Sequence, residues 1–199
     1  MSDNQKVDKV RRNLVVATSV AGGAASLGAA IPFVASMLPS ERTKAAGAPI
    51  TVDISTIAPG ELKVFEWRGK PVWVIRRTRE MVESLKSAAS RLTDPGSSAS
   101  QQPEFARNEY RSLKPELVVM EGVCTHLGCS PQMKPAEAKA EMGADWAGGF
   151  YCACHGSKFD LAGRVFRGAP APTNLVVPPY TFVSESTIVI GEDQETKGA

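Results

Sequence analysis

All four cysteines and both histidines of this 199-residue chain lie within one window of 32 residues. The first group is CTHLGC, at residues 124–129, and the second is CACHGS, at residues 152–157. Each group offers one cysteine and one histidine at ligand spacing: Cys124 with His126, and Cys152 with His155. Two thiolates and two imidazoles are ligands for a zinc ion or for a [2Fe-2S] cluster, and ligand type alone does not choose between them.

The two remaining cysteines, Cys129 and Cys154, lie in the same two groups. On the non-cytoplasmic side of a membrane, two unligated cysteines that are held close are expected to oxidise to a disulfide. Such a bond would account for the rest of the cysteines in the chain. Because it depends on the compartment, the N-terminal sequence becomes part of the argument.

The N-terminal region has the composition of a membrane-spanning helix. Residues 13–40 contain no charged side chain. Their apolar part, residues 14–38, would form about 37 Å of helix at ~1.5 Å per residue, which is enough to cross a hydrocarbon core of about 30 Å. We therefore predict a cytoplasmic tail over residues 1–12 and a transmembrane helix over residues 13–39.

Basic residues set the predicted orientation of this helix. Lys9, Arg11 and Arg12 precede the apolar run, so the positive-inside rule places the N-terminus in the cytoplasm and the rest of the chain across the membrane. Adjacent arginines at this place are also typical of twin-arginine export. A cleaved signal peptide, with its site near residues 45–48, is the alternative. The apolar run exceeds the roughly 7 to 15 residues of a usual signal peptide, which favours an uncleaved anchor.

Beyond the anchor, the pattern changes to short strands. Segments rich in β-branched and aromatic residues predict antiparallel β structure at residues 50–54, 61–78, 174–183 and 186–191. Residues 79–115 differ, because a short helical pattern is followed by a polar loop, and we expect a solvated surface insertion there. Residues 1–12 carry the chain's formal net charge of +2. The remainder is neutral, so the composition gives no support to a nucleic-acid partner.

The segments CTHLGC and CACHGSKFDLAGRVFRGAPAPTNL resemble the Rieske iron-sulfur subunit of the bacterial ubiquinol-cytochrome c reductase, or cytochrome bc, complex. The resemblance extends over nearly the whole chain. It implies a mainly β fold, with an antiparallel β-sandwich head at residues 50–199, a cluster-binding subdomain at about 120–172 and one N-terminal transmembrane helix. It also implies a flexible hinge at residues 40–49, and a head that lies in the periplasm beside the bacterial inner membrane.

The resemblance further assigns the cluster ligands. It implies that Cys124 and Cys152 bind one iron, that His126 and His155 bind the other, and that a disulfide between Cys129 and Cys154 ties the loops together. His155 is expected to receive the proton of the quinol.

Residues around the ligands also follow the family. Ser157 matches a position whose hydroxyl donates a hydrogen bond to a cluster sulfur, and Leu127 matches an apolar shield near the histidines. Residues 168–172, GAPAP, resemble a Pro-rich loop that covers the cluster. Phe159 departs from the pattern, because the high-potential members usually have tyrosine there.

Mixed ligands explain the implied function. Neutral imidazoles in place of two thiolates raise the potential to roughly −150 to +300 mV, against about −400 mV for plant-type ferredoxins, so a quinol can reduce the cluster. The resemblance implies that one electron, coupled to a proton, passes from ubiquinol to this subunit and on to a c-type cytochrome. Cytochrome b would take the second electron, in a complex that is expected to be dimeric and that is the enzyme as a whole.

Three other classes of protein share part of this cysteine and histidine pattern. A Rieske ferredoxin or oxygenase component is disfavoured by Cys129, Cys154 and the anchor. The Rieske subunit of another periplasmic oxidoreductase, such as arsenite oxidase, is closer, but the 22 residues between Cys129 and Cys152 and the long anchor favour the quinol complex. A structural zinc module is the third alternative.

Overall fold

The computed structural model describes residues 8–99 and 102–192. The chain divides into two units, Met1–Ala45 and Ala46–Ala199. Helix α1 spans Lys9–Ser36, and among the described residues it is the one helix long and apolar enough to cross a membrane. It begins four residues before the predicted span because Asp8 caps it, accepting hydrogen bonds from the backbone nitrogens of Val10 and Arg11. Helix α2, Glu41–Ala46, lies in the segment that is predicted to be a hinge; the hinge itself stays a prediction.

The regular structure of the second unit is mostly antiparallel sheet. Its described strands are β1 Ile50–Asp53, β2 Leu62–Trp67, β3 Lys70–Arg76, β4 Leu117–Glu121, β5 Gln132–Lys134, β6 Gly149–Cys152, β7 Ser157–Phe159, β8 Tyr180–Phe182 and β9 Thr187–Ile190. Helices α3, Arg79–Ala88, and α4, Lys139–Met142, and two 3₁₀ turns, Ala89–Arg91 and Glu104–Ala106, complete the regular structure. The strand orders are β1-β9-β8, β2-β3-β4 and β5-β6-β7, which confirms a mainly β head.

The strand predicted at residues 174–183 is shorter than expected. Only Tyr180–Phe182 pairs with β9, in register with Ile188–Ile190. Pro178 and Pro179 precede it in the sequence, and neither has a backbone N–H to donate to a ladder. The two prolines therefore keep the first half of the segment out of the sheet.

The sheet β2-β3-β4 is buried on both faces. On one face, Val72, Val74 and Val119 join a core with residues of the sheet β1-β9-β8, which makes the sandwich. On the other face, Trp73 and Met120 join a second core with Cys124, Cys152 and Phe150, and Trp73 stacks on Phe150 with ring centroids 4.8 Å apart. Because side chains alternate along a strand, one central sheet supports both the sandwich and the cysteine-bearing subdomain.

The prediction that residues 79–115 form a solvated element is wrong. Leu85, Leu92 and Ala106 are fully buried, and so is the guanidinium-bearing Arg111. The insertion runs along the chain segment after β7: Leu92 bridges Phe166, and the Thr93 backbone nitrogen donates to the Val165 carbonyl at 3.0 Å. Polar composition concealed this packing because many of its contacts are hydrogen bonds to backbone carbonyls.

Candidate metal centre

Two loops of the same design carry the cysteine and histidine groups. The first follows β4 and the second joins β6 to β7. In each, the residue four positions after the first cysteine is a glycine that donates its backbone N–H to that cysteine's carbonyl: Gly128 to Cys124 at 3.0 Å, and Gly156 to Cys152 at 2.9 Å. Both glycines have φ between +81° and +85°, where a side chain is strained. Each histidine therefore lies within a tight, hydrogen-bonded turn, between the cysteine and the glycine that close it.

A disulfide joins the two loops. Cys129 and Cys154 are bonded, as the sequence predicts. The Cys152 sulfur lies within 4.8 Å of both disulfide sulfurs, but a bonded pair cannot supply thiolates to a metal. The free thiols are Cys124 and Cys152, and both are buried. Two loops that carry buried free thiols are thus joined covalently.

The histidine rings of the two loops contact each other. Their centroids are 4.7 Å apart and their planes are nearly perpendicular. The Nδ1 atom of His126 is buried and has no hydrogen-bond partner among the described residues, whereas His155 is exposed. Buried polar atoms of proteins almost always have a partner, so an unpartnered imidazole nitrogen here fits a metal ligand.

The Cys152 thiol resists ionisation in its buried position. Burial raises the pKa of the Cys152 thiol, and the neighbouring Cys124 side chain raises it further. A bound cation reverses this preference, because thiolate is the metal-binding form and the cation's charge stabilises it. Two buried thiols and a buried, unpartnered imidazole therefore fit a positively charged metal group.

Three predicted neighbours of the site lie near the ligands. Ser157 is fully buried, and its Oγ accepts from the Ala171 backbone nitrogen at 3.0 Å, which leaves the hydroxyl proton free to donate. Leu127 is 70% exposed, in the same loop as His126. Phe159 is fully buried in the core that holds Cys124 and Cys152.

Residues 160–175, here called the 160–175 loop, contain the GAPAP segment. Thr125 Oγ1 donates to the Thr173 carbonyl at 2.7 Å, so this loop contacts the first cysteine loop as well as Ser157. Sequence reasoning missed Thr125, and it missed the buried ion pair of Arg164 with Asp160, whose Nε and Oδ2 atoms are 2.7 Å apart. The four-residue spacing of that pair is the signal that could have indicated it.

The fold and the site define a β protein with a preformed metal centre, and comparison with known proteins specifies the class. Residues 95–181 match the Rieske [2Fe-2S] domain. Residues 1–40 match a family described as "Ubiquitinol-cytochrome C reductase Fe-S subunit TAT signal". The cofactor of this domain is therefore a [2Fe-2S] cluster rather than a single zinc ion.

Relatives extend this assignment to nearly the full chain. The ubiquinol-cytochrome c reductase iron-sulfur subunit of Allochromatium vinosum is 53% identical, covering 96% of this chain and 92% of the relative. The corresponding subunit of Blastochloris viridis is 42% identical, covering 96% and 98%. A solved structure described as "Hyperthermophilic respiratory Complex III" aligns with 26% identity and a TM-score of 0.47, over 87% of this chain and 98% of that chain. This chain belongs to the family of ubiquinol-cytochrome c reductase iron-sulfur subunits.

Proposed function

We propose that this protein is the electron-transfer subunit of a cytochrome bc complex. It accepts one electron, coupled to a proton, from ubiquinol at the quinol-oxidation site and delivers the electron to a c-type cytochrome. The observation that carries this proposal is that two buried thiols, Cys124 and Cys152, and two histidine rings 4.7 Å apart lie on two loops that a disulfide joins, in a chain of this family. Nothing in the site favours the Rieske subunit of another periplasmic oxidoreductase.

The proposed ligands are Cys124 and Cys152 on one iron and His126 and His155 on the other. When bound, a cluster with this ligand set supplies a one-electron acceptor of high potential. Because Cys124 and Cys152 are buried, their sulfur atoms are shielded from water. The disulfide between the loops holds the two halves of the proposed ligand set together. The Ser157 hydroxyl, which accepts from the Ala171 backbone nitrogen, would have its proton available for a cluster sulfur, a bond that would favour the reduced form.

The histidine side of the site faces outward. His155 is exposed, so the ring nitrogen that does not bind iron can accept a hydrogen bond, and then the proton, from a quinol hydroxyl. Leu127 stands exposed in the neighbouring loop, where an apolar partner surface would cover it and exclude water from the proton transfer. His155 is therefore the proposed catalytic residue of this subunit.

The remaining assignments concern the assembly. Helix α1 is the proposed single-pass anchor in the bacterial inner membrane, with the N-terminus in the cytoplasm and the head in the periplasm. Cytochrome b and a c-type cytochrome are the proposed protein partners, in a dimeric complex. Residues 40–49 are the proposed hinge that lets the head reach both. The second electron of ubiquinol passes to haem in cytochrome b.

An electron paramagnetic resonance redox titration of the purified complex, at several pH values, tests this function. We expect a rhombic reduced [2Fe-2S] spectrum and a positive midpoint potential that falls as pH rises above neutral, because reduction is coupled to proton uptake at the histidine ligands. A negative, pH-independent midpoint would assign the protein to the ferredoxin class. Bound zinc without a spectrum would remove the redox function.

A further inference from the structure

The insertion at residues 79–115 places a buried arginine beneath the 160–175 loop. The Arg111 guanidinium donates to three backbone carbonyls: those of Ala162 at 3.1 Å, Gly163 at 3.4 Å and Leu175 at 2.6 Å. The first two carbonyls belong to the start of the loop and the third to its end. One planar, five-donor group therefore fixes both ends of the loop at once, which a single-point donor such as lysine cannot reproduce.

The conformation of Arg111 is unfavourable in itself. It is one of three described non-glycine residues with positive φ, at 53°, and it has no exposed surface. Burial lowers its pKa to about 10, so the guanidinium still carries its charge at neutral pH. Strained backbone and a buried charge persist where the surrounding structure requires them, and the contacts of this side chain are with the 160–175 loop and with Gln102.

A second contact from the insertion supports the same loop. Gln102 Oε1 accepts from Arg111 Nη2 at 3.5 Å, and its Nε2 donates to the Ser97 carbonyl at 2.7 Å. The Ser97 hydroxyl accepts from Asn174 in the loop at 3.2 Å. Gln102 thus connects two buried residues of the insertion, Ser97 and Arg111, that bind the loop.

The loop reaches the cluster residues directly. Ala171 donates to Ser157 Oγ, the Thr173 carbonyl accepts from Thr125, and both Ala171 and Leu175 pack in the core that contains Cys124 and Cys152. A displacement of the loop therefore changes the orientation of the Ser157 hydroxyl and the apolar cover of the thiols.

We propose that Arg111 is a positioning residue that sets the midpoint potential of the cluster by fixing the 160–175 loop against Ser157 and the cysteine ligands. This inference rests on the proposed function, since it requires the cluster at these ligands. It assigns the insertion a role in tuning the electron acceptor, although the insertion contributes no ligand.

The test compares variants of the full-length chain, with its cluster, by redox titration and line shape in electron paramagnetic resonance. We expect Arg111→Lys and Arg111→Gln each to lower the reduction equilibrium constant about tenfold, or about 59 mV for a one-electron couple, and to broaden the spectrum. Arg107→Gln is the matched control, an arginine of the same insertion whose side chain is 51% exposed and paired with Glu104. It should leave both readouts unchanged.

The outcomes separate the possible causes. A shift in Arg111→Gln with none in Arg111→Lys would show that charge, not position, acts on the cluster, and would overturn the proposal. A lower melting temperature with unchanged potential and line shape in both would also overturn it. Should these variants fail to accumulate, the milder Gln102→Ala decides: we expect about a threefold decrease, and an unchanged midpoint rejects the proposal. A wild-type protein without a [2Fe-2S] spectrum would overturn the proposed function itself.

Discussion

The cysteine loops and the insertion are both irregular segments, but they are held in place in different ways. Each loop is closed by a hydrogen bond from a glycine backbone N–H to the carbonyl of a cysteine four residues earlier. A disulfide then joins the two loops. The insertion is held by side chains that reach carbonyls far away in the sequence, such as Arg111 to Leu175, 64 residues apart. In the proposed function the cysteine loops hold the cluster, and the insertion supports the 160–175 loop, which is predicted to cover it.

This difference explains why the sequence predicted the cysteine loops but not the packing of the insertion. Ligands that share a short loop leave a short motif, so residue types and spacing expose them. A donor whose acceptors are backbone carbonyls leaves no partner motif, because every residue has a carbonyl. The two regions can be separated by experiment, since changes in the loops should remove the cluster and changes around the insertion should destabilise or retune it.

The largest expected effect is the loss of the cluster in Cys152→Ser. The hydroxyl of serine does not replace a buried thiolate ligand, so we expect the [2Fe-2S] spectrum and the bound iron to be lost. Iron analysis and electron paramagnetic resonance of the purified chain measure this. Ala153→Ser, at the exposed neighbouring position, is the control and should retain its cluster. A normal spectrum in Cys152→Ser would contradict the proposed ligand set.

The next effect should fall on stability. Asp160→Asn leaves the Arg164 guanidinium buried without its carboxylate, since both side chains of this pair are at most 3% exposed. Breaking such a pair costs about 3–5 kcal/mol of unfolding free energy. Urea unfolding followed by tryptophan fluorescence gives the value. Glu83→Gln, in the exposed pair with Arg79, should change it by about 0.5 kcal/mol or less; equal losses in the two variants would argue against the importance of burial here.

Removal of the disulfide should cost somewhat less. The bond joins cysteines 25 residues apart, and closing a loop of that length stabilises a fold by about 3 kcal/mol. We expect the double variant Cys129→Ala/Cys154→Ala to unfold at lower denaturant concentration and to release iron sooner. Ser130→Ala, at the exposed position next to Cys129, is the control. An unchanged rate of iron release would show that the two loops are held together without the covalent bond.

Tyr180 connects the sandwich to the insertion and predicts a dependence on pH. Its hydroxyl oxygen accepts from the Leu113 backbone nitrogen at 3.0 Å, and burial raises its pKa to about 12. The protonated form is therefore favoured in the folded state. Its contribution is fully present below pH 10, the ordinary value of tyrosine, and is lost as pH rises through 12.

The comparison of wild type with Tyr180→Phe isolates this contribution. Phenylalanine cannot ionise, so the difference in unfolding free energy between the two proteins should shrink as pH rises from 10 to 12. A shift of about two pKa units corresponds to roughly 3 kcal/mol in total. Urea unfolding at intervals between pH 8 and pH 12 supplies the curve. A difference that stays constant with pH would contradict the burial of the Tyr180 hydroxyl.

The same comparison shows how far the sequence could lead. Alternation of residue types was sufficient to predict the strands near residues 50–76 and 187–190, and motif spacing to predict the cysteine loops. The disulfide was predicted from the two cysteines that remain beside the ligand motif and from the resemblance to Rieske subunits. The sequence pattern did not predict the burial of the insertion, where Arg111 and Leu85 are buried although their neighbours in the chain are polar. The bounds of α1 depended on Asp8 as a cap, and the exclusion of residues 174–179 from a strand depended on two prolines. Long-range contacts and local backbone rules, rather than hydrophobicity, decided these points.

Phe159 offers the smallest change, and it lies in strand β7, directly after the second cysteine loop. Its ring is fully buried in the core with Cys124 and Cys152, and the sequence resemblance implies tyrosine here in the high-potential members. A tyrosine hydroxyl that donates to a ligand sulfur would favour the reduced cluster by about 1 kcal/mol. We therefore expect Phe159→Tyr to raise the midpoint by about 40 mV, given 59 mV per tenfold change.

The matched control for this substitution is Phe166→Tyr. Phe166 is partly exposed and packs near Trp146 with ring centroids 5.9 Å apart, outside the core that holds the cysteine ligands. The Phe166→Tyr substitution adds the same hydroxyl to the same subdomain but away from Cys124 and Cys152. It should therefore leave the midpoint potential unchanged. If both variants shift the potential equally, the effect is a general one of added polarity. If neither does, the Phe159 position does not tune the cluster, and the missing hydroxyl has no bearing on the potential of this protein.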